Sequence, residues 1–217
     1  MKPALRKATV AGVAAVTAAA ALLAGGGPST ARAGTADGGD AVASAGGHDA
    51  PRGKDRVFRG RFAPIGTPGG ARTITYDQKL VPEGARIEVR QHTGRDGMAV
   101  RVAVRGVARN HTFGVHVHTR PCGARPDDSG PHYQHRKDPR QPSTDPRYAN
   151  PYNEVWLDFT SDEEGRGHAG SVHPWTFRKG EARSVVLHES VTHTEPGHAG
   201  QAGARAACFT VPFSGRG

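Results

Sequence analysis

Apolar and polar residues alternate along several short segments of the chain. In residues 85–90 and in much of 98–105 an apolar side chain recurs at every second position, which is the period of a β-strand with one buried face. No segment shows a clear helical period. Six further segments favour strands, namely 73–76, 113–119, 154–160, 168–173, 183–188 and 207–212.

Turn-forming residues fill the connections between these segments, notably 64–71, 123–153 and 189–204. Short strands separated by turns rich in Gly, Pro, Asn and Asp are typical of an antiparallel sandwich or barrel. The 123–153 connection is far longer than an ordinary loop, and it contains His132. This length indicates that the connection carries function.

The N-terminal segment has the build of a secretory signal peptide. Basic residues come first, an apolar run spans residues 8–24, and Ala31-Arg32-Ala33 offers a small-residue cleavage point. The apolar run is short for a membrane anchor. We therefore predict cleavage after Ala33, no membrane span in the mature protein, and a secreted, extracellular or cell-envelope location.

The remaining chain divides by composition into three parts. Residues 34–56 contain few large apolar side chains, so they cannot offset the entropy lost on ordering and predict a flexible tether. Residues 57–213 have the size of one domain with one core. Residues 214–217 form a short tail.

The basic charge of the chain lies partly in the predicted signal peptide. Residues 1–33 hold four basic residues and no acidic one, so their removal lowers the formal net charge from +9 to +5. The other arginines are scattered among Asp and Glu along the sequence and form no dense basic run. This pattern predicts no nucleic-acid partner.

The chain has two cysteines, Cys122 and Cys208. In a protein bound for an oxidising compartment, two cysteines predict a single disulfide.

His116 and His118 stand two residues apart in a predicted strand. On a strand this spacing places both imidazoles on one face, a few Å apart. Two neutral imidazoles form half of a transition-metal site. The pair alone is a weak signal, because alternating surface histidines also occur without metal.

Further motifs follow the histidine pair in a fixed order. They are Cys122, Gly-Pro-His-Tyr at 130–133, Val-Val-Leu-His-Glu at 185–189 and Gly-Ala-Arg-Ala-Ala-Cys at 203–208. Together with Gly-Val-His-Val-His at 114–118, this series resembles the copper/zinc superoxide dismutase family. The resemblance extends from about residue 85 to residue 212.

The resemblance implies an all-β, immunoglobulin-like Greek-key sandwich or barrel with long metal-binding loops. It implies that copper is bound by four histidines, of which His132 is the one that bridges to zinc in zinc-containing members. It also implies that Arg205 guides the superoxide anion, that His132 donates a proton, and that the two cysteines pair. The copper ligands are then His116, His118, His132 and His188.

The chain departs from the family at the zinc site. Zinc-containing members carry patterns resembling H-G-G-P and H-x-G-D, and neither occurs here. This absence argues against a standard zinc site and resembles the copper-only branch, in which a glutamate holds the bridging-type histidine. Glu154 is the candidate for that role, unless it is a plain strand-surface carboxylate. Alternatively, His135 and Asp158 rebuild an irregular zinc site, with Asp145 as a further candidate ligand.

Two functions are compatible with these residues. The first is a secreted copper-dependent superoxide dismutase, and the second is a secreted copper-binding or storage module with the same fold. Arg205 discriminates between them, because turnover needs it and storage does not. His193 and His198 lie near the expected copper site in sequence, so they could make a second metal contact or load copper. The oligomeric state is not predicted.

Overall fold

The computed structural model describes residues 53–68 and 72–216. The predicted signal peptide and residues 34–52 of the predicted tether lie outside these ranges. Within the described residues, no helix has the length and apolar content that a membrane crossing requires.

The described residues form eleven β-strands and one 3₁₀-helix at Pro126–Ser129, without any α-helix. The strands are β1 Lys54–Arg61, β2 Ala63–Pro64, β3 Thr73–Thr75, β4 Arg86–Gly94, β5 Gly97–Arg105, β6 Thr112–Phe113, β7 Val115–His118, β8 Phe159–Thr160, β9 Arg166–His173, β10 Ser184–His188 and β11 Arg205–Thr210.

Two main sheets contain nine of these strands. The first has the order β1-β4-β5-β9, and the second has the order β2-β3-β11-β10-β7, while β6 and β8 form a separate pair. All pairings are antiparallel except that of β2 with β3. The chain passes from β5 to β7 in the other sheet and returns to β9, which pairs with β5. Such crossings are Greek-key connections, so the all-β prediction is confirmed.

The core lies between the inner faces of the two sheets. It contains fully buried side chains of both sheets, including Val89 and Val100 of the first sheet and Val115, Val117 and Leu187 of the second. Side chains alternate across a strand. Since Val115 and Val117 point into the core, His116 and His118 must project from the outer face of the second sheet.

The strands differ from the predicted ones at three places. The predicted strand 113–119 is divided, because β6 ends at Phe113 and β7 begins at Val115. The predicted strand 154–160 is wrong for its first five residues, which make only isolated bridges, and β8 covers Phe159–Thr160 alone. Strands β1 and β2 near the start of the described residues were not predicted. Strand β1 includes residues 54–56 of the predicted tether, and β2 includes Pro64 of a predicted connection.

The predicted disulfide is present between Cys122 and Cys208. It joins the start of the 123–153 connection to β11, and the Cys122 amide also donates to the Thr210 hydroxyl at 3.0 Å. Since Cys208 alternates with the core residues Ala207 and Phe209, this bond lies on the same outer face as the paired histidines.

His173 at the end of β9 is a buried titratable group outside that face. Its side chain is 2% exposed, its ring centre lies 4.2 Å from that of Trp175, and its Nε2 is 2.6 Å from the Ser171 hydroxyl. Burial lowers the pKa of His173 to about 4, with a smaller contribution from His135. The folded protein therefore holds this imidazole neutral where an unfolded chain would protonate it.

We predict that His173 makes the metal-free protein less stable in acid. As the pH falls from about 6.5 to about 4, the unfolded chain binds a proton at this residue and the folded protein does not, so the free energy of unfolding decreases. At about 1.4 kcal/mol per unit of pKa, the decrease from this group is at most about 3 kcal/mol.

His173→Phe keeps the ring contact with Trp175 and should lose less stability over this range, as measured by urea unfolding at pH 7 and pH 4. His168→Gln, at an exposed position of the same strand, should behave as the native chain. An equal loss in all three proteins would contradict the prediction.

Candidate metal centre

The structure brings together His116, His118, His132 and His188. One ring nitrogen of each lies within 4.8 Å of the corresponding nitrogens of the others, and this is the one such group among the described His, Cys, Asp and Glu side chains. His116 and His118 come from β7, and His188 ends the adjacent strand β10. The group could therefore hold a metal ion.

His132 reaches the group because its backbone lies against β7. The amide of Thr119 donates to the Pro131 carbonyl at 3.0 Å, and the amide of Tyr133 donates to the Val117 carbonyl at 2.8 Å. His132 and His118 thereby form an isolated antiparallel bridge. The long connection thus acts locally as a short extra strand that places its histidine beside the other three.

Three of the rings are oriented by hydrogen bonds of Nδ1 to groups outside the cluster. Because Nδ1 is engaged in each case, Nε2 is the nitrogen that faces the centre. The Nε2 atoms of His118 and His188 lie 3.4 Å apart. The outer partners are the Gly130 carbonyl for His118 at 2.8 Å, the Glu154 carboxylate for His132 at 2.7 Å and the Gly203 carbonyl for His188 at 3.3 Å.

His116 is oriented in the opposite sense. Its Nε2 lies 2.7 Å from the hydroxyl of Thr192, and that hydroxyl donates to the Asp158 carboxylate at 2.9 Å. The hydroxyl must then accept from Nε2, which leaves a lone pair on Nδ1. His116 Nδ1 is buried and has no hydrogen-bond partner among the described residues. An unpartnered buried acceptor beside three others is what a bound cation would satisfy.

Burial keeps three of these imidazoles neutral, those of His116, His118 and His188. It lowers the pKa of His116 and of His118 well below the usual range, and the neighbouring His132 and His188 lower both further. Burial also lowers the pKa of His188 to about 3. Neutral rings keep their lone pairs available for a metal ion near neutral pH.

Glu154 is buried and accepts three hydrogen bonds. His132 Nδ1 and Trp156 Nε1 both donate to Oε2, and the Gln134 amide donates to Oε1, each at 2.7 Å. Both carboxylate oxygens are therefore engaged by donors, so Glu154 is not a free ligand for a second cation beside His132.

The other residues considered for a zinc site do not gather. Asp158 accepts from Thr192 and from the Val115 amide at 3.0 Å, so it supports His116 instead. The His135 ring stacks on Trp175 with centres 4.8 Å apart, and Asp145 is paired with Arg147. Within the described ranges, these side chains form no second metal-binding group. The residues present therefore do not fit zinc beside His132.

Arg205 lies beside the histidines, at a cavity of about 330 Å³ whose lining also includes His132 and His188. Its Nη1 donates to the Pro126 carbonyl at 3.0 Å and to the Ser129 hydroxyl at 2.8 Å. Burial lowers the pKa of Arg205, but a guanidinium remains charged at neutral pH. The 3₁₀-helix thus fixes a positive charge next to the candidate metal centre.

His193 and His198 lie apart from the centre. Both are exposed, their rings are 6.3 Å apart, and His193 Nδ1 lies 2.7 Å from the Glu195 carboxylate. They do not join the four-histidine group.

Sequence reasoning missed Thr192, Gln134 and Trp156. Thr192 comes from the 189–204 connection and Gln134 from the 123–153 connection, so no strand pattern relates them to a histidine. A weak signal was available for Trp156, because it lies two residues from Glu154 and its indole N–H needs an acceptor when it is partly buried.

Comparison with known proteins gives only remote matches. No protein-family model matches the chain, and no curated protein does. Among solved structures, a Cu/Zn superoxide dismutase from Brucella abortus is 20% identical, with a TM-score of 0.45 over 64% of this chain and 97% of that one. A double mutant of a SOD-like protein from Bacillus subtilis is 15% identical, with a TM-score of 0.45 over 57% of this chain and 86% of that one.

We predict that Glu154→Gln weakens metal binding by about 10- to 100-fold, the usual effect of removing the partner that orients a metal-binding histidine. The neutral amide is a weaker acceptor for His132 and brings a donor group to a place where two donors already point. The measurement is Cu²⁺ affinity by competition with a chelator. Glu83→Gln, at an exposed carboxylate, is the matched control, and equal affinities for the two variants would contradict the prediction.

Proposed function

We propose that this chain is a copper-dependent superoxide dismutase. One observation carries the proposal: four imidazole nitrogens face one another beside a half-buried arginine that lines the same cavity. The histidines supply a metal site, and the arginine supplies a fixed attraction for a small anion.

The chemistry of the donors favours copper. All four are imidazoles, which suit copper well, and Cu²⁺ binds such sites more tightly than the other divalent ions of its row. Bound copper supplies a one-electron couple that takes an electron from one superoxide and gives an electron to a second. The net reaction converts two superoxide anions and two protons into dioxygen and hydrogen peroxide.

The protein's own residues would attract the substrate and supply a proton. The Arg205 guanidinium is anchored through Nη1, so its positive charge stays near the cavity and draws superoxide in. His132 lines the same cavity, and imidazole can exchange protons near neutral pH. We assign to His132 Nε2, once it is released from copper on reduction, the proton that would be passed to the reduced product.

Glu154 takes the place that zinc has in zinc-containing relatives. Its carboxylate holds His132 Nδ1 at 2.7 Å and is itself held by Gln134 and Trp156. This arrangement needs one metal ion and no zinc.

We further propose that the protein is exported. The disulfide between Cys122 and Cys208 supports this location, because disulfides persist in oxidising compartments. Mass spectrometry of the exported chain would identify its N-terminus, and cleavage after Ala33 is the expected result.

Pulse radiolysis of the copper-loaded protein tests the enzymatic proposal. We expect fast superoxide decay that His118→Ala abolishes, because the substitution removes one ligand. Arg205→Gln should slow the reaction by about tenfold and reduce its dependence on ionic strength, while Arg205→Lys should keep most of the electrostatic attraction. Arg109→Gln, at an exposed arginine, is the control.

Metal analysis separates the two candidate functions. One copper per chain with decay no faster than that of free copper would overturn the enzyme and select the copper-binding or storage module. Equal copper and zinc would overturn the role given to Glu154.

A further inference from the structure

Arginines that are scattered in the sequence meet on one surface of the fold. On β4 and β5 the core residues Val89 and Val102 point inward, so the alternate positions face outward from the first sheet. The pairing of β1, β4, β5 and β9 brings seven arginines and two carboxylates, Asp55 and Glu88, to this outer face. We call it the arginine face.

Four of these arginines form a row across all four strands. The cross-strand partners run from Arg61 to Arg86, from Arg86 to Arg105 and from Arg105 to Arg166. Neighbouring strands are about 4.8 Å apart, and like charges directly opposite each other destabilise a sheet. The row is therefore a local cost to stability that a bound anion would relieve.

Four arginines of the face lack a partner of opposite charge among the described residues, and one of them, Arg61, donates instead to the Gly84 carbonyl at 3.3 Å. Arg59 and Arg90 both pair with Glu88, and Arg166 pairs with Asp162 and Glu164 in the adjoining turn. Arg86, Arg101 and Arg105 make no side-chain hydrogen bond or ion pair with the described residues. Their guanidinium groups are exposed and can bind sulfate, phosphate or carboxylate through two hydrogen bonds each.

A hollow of about 390 Å³ lies on the same face. Its lining includes the guanidinium groups of Arg90 and Arg101 and the small apolar side chains of Val57 and Ala99. It also includes the Asp55 carboxylate, which lies 2.7 Å from His92 Nδ1. Arg101 lies close over Gly170 of β9, where a Cβ would come within 3.3 Å of its Cγ. The hollow thus combines arginine side chains with apolar surface, and its carboxylate is paired with His92, which suits a sugar ring that carries an anionic group.

We propose that the arginine face binds a linear anionic polysaccharide. The row of arginines runs in one line across the sheet. Arginines on neighbouring strands are about 4.8 Å apart, which is close to the length of one sugar unit along a polysaccharide chain. Nucleic acid is the less suitable polyanion, because the outward positions of β1, β4, β5 and β9 carry no Phe, Tyr or Trp side chain on which bases could stack.

The face and the metal centre are on opposite sides of the sandwich. The histidine pair projects from the outer face of the second sheet, and the arginines project from the outer face of the first. A polymer bound to the arginines leaves the cavity beside Arg205 uncovered. The proposal is therefore independent of the enzymatic one, and either can fail alone.

Binding of dextran sulfate to the full exported chain tests the proposal, with neutral dextran as the blank. We expect binding that weakens steeply with salt. The triple variant Arg86→Gln, Arg101→Gln, Arg105→Gln should bind at least about tenfold more weakly and reduce the slope of log affinity against log salt by about 2, at about 0.7 per lost contact. Without polymer and at low salt, the same variant should unfold at a higher temperature than the native chain, because the repulsion across the strands is removed.

The matched control removes equal charge elsewhere, by Arg109→Gln, Arg140→Gln and Arg183→Gln at exposed positions outside the first sheet. Retained binding in this control supports the assignment to the face. Equal losses in the two triple variants, or no loss in the face variant, would overturn it. Tighter binding to duplex DNA than to dextran sulfate would overturn the choice of polysaccharide. Copper content and superoxide decay should be the same in the face variant and the native chain.

Discussion

Four imidazoles that lie against one another are the constraint on which the candidate metal centre depends. Each ring has two nitrogens, and a buried nitrogen without a partner is costly. In the folded protein, one nitrogen of each ring has a hydrogen-bond partner outside the cluster, and the other nitrogen faces the centre of the cluster. The two long connections supply three of those partners, namely Gly130, Thr192 and Gly203, and Glu154 directly follows the first connection.

The same principle applies to the outer nitrogen of His132. A zinc ion would orient His132 by binding its outer nitrogen. Glu154 does this with a hydrogen bond, and its own charge is balanced by three donors rather than by a cation. The outer nitrogen of His132 is thus satisfied by this glutamate without a second cation.

Sequence reasoning succeeded where the information is local. The alternation in residues 98–105 and the spacing of His116 and His118 depend on neighbours in the chain, and the structure has β5 at Gly97–Arg105 and both histidines on β7. The cysteine pair was also predictable, because two cysteines allow only one intramolecular pairing. Strand β1 was missed because its sequence is dominated by charged residues, which suit an edge strand but hide the apolar alternation.

Features that depend on the register between strands were not visible in the sequence. Arg61, Arg86, Arg105 and Arg166 are far apart in the chain, and only the pairing of four strands makes them neighbours. The sequence therefore suggested scattered charge where the fold has a concentrated surface. Thr192 was missed for a similar reason, since its contact with His116 spans 76 residues.

The Asp158 carboxylate has a consequence for metal binding at the candidate centre. It receives hydrogen bonds from the Val115 amide at the start of β7 and from both the amide and the hydroxyl of Thr192. His116 cannot rotate without breaking this chain of contacts. The His116 ring therefore loses its rotational freedom when the polypeptide folds and not when an ion binds. Preorganisation of this kind increases affinity without adding a contact.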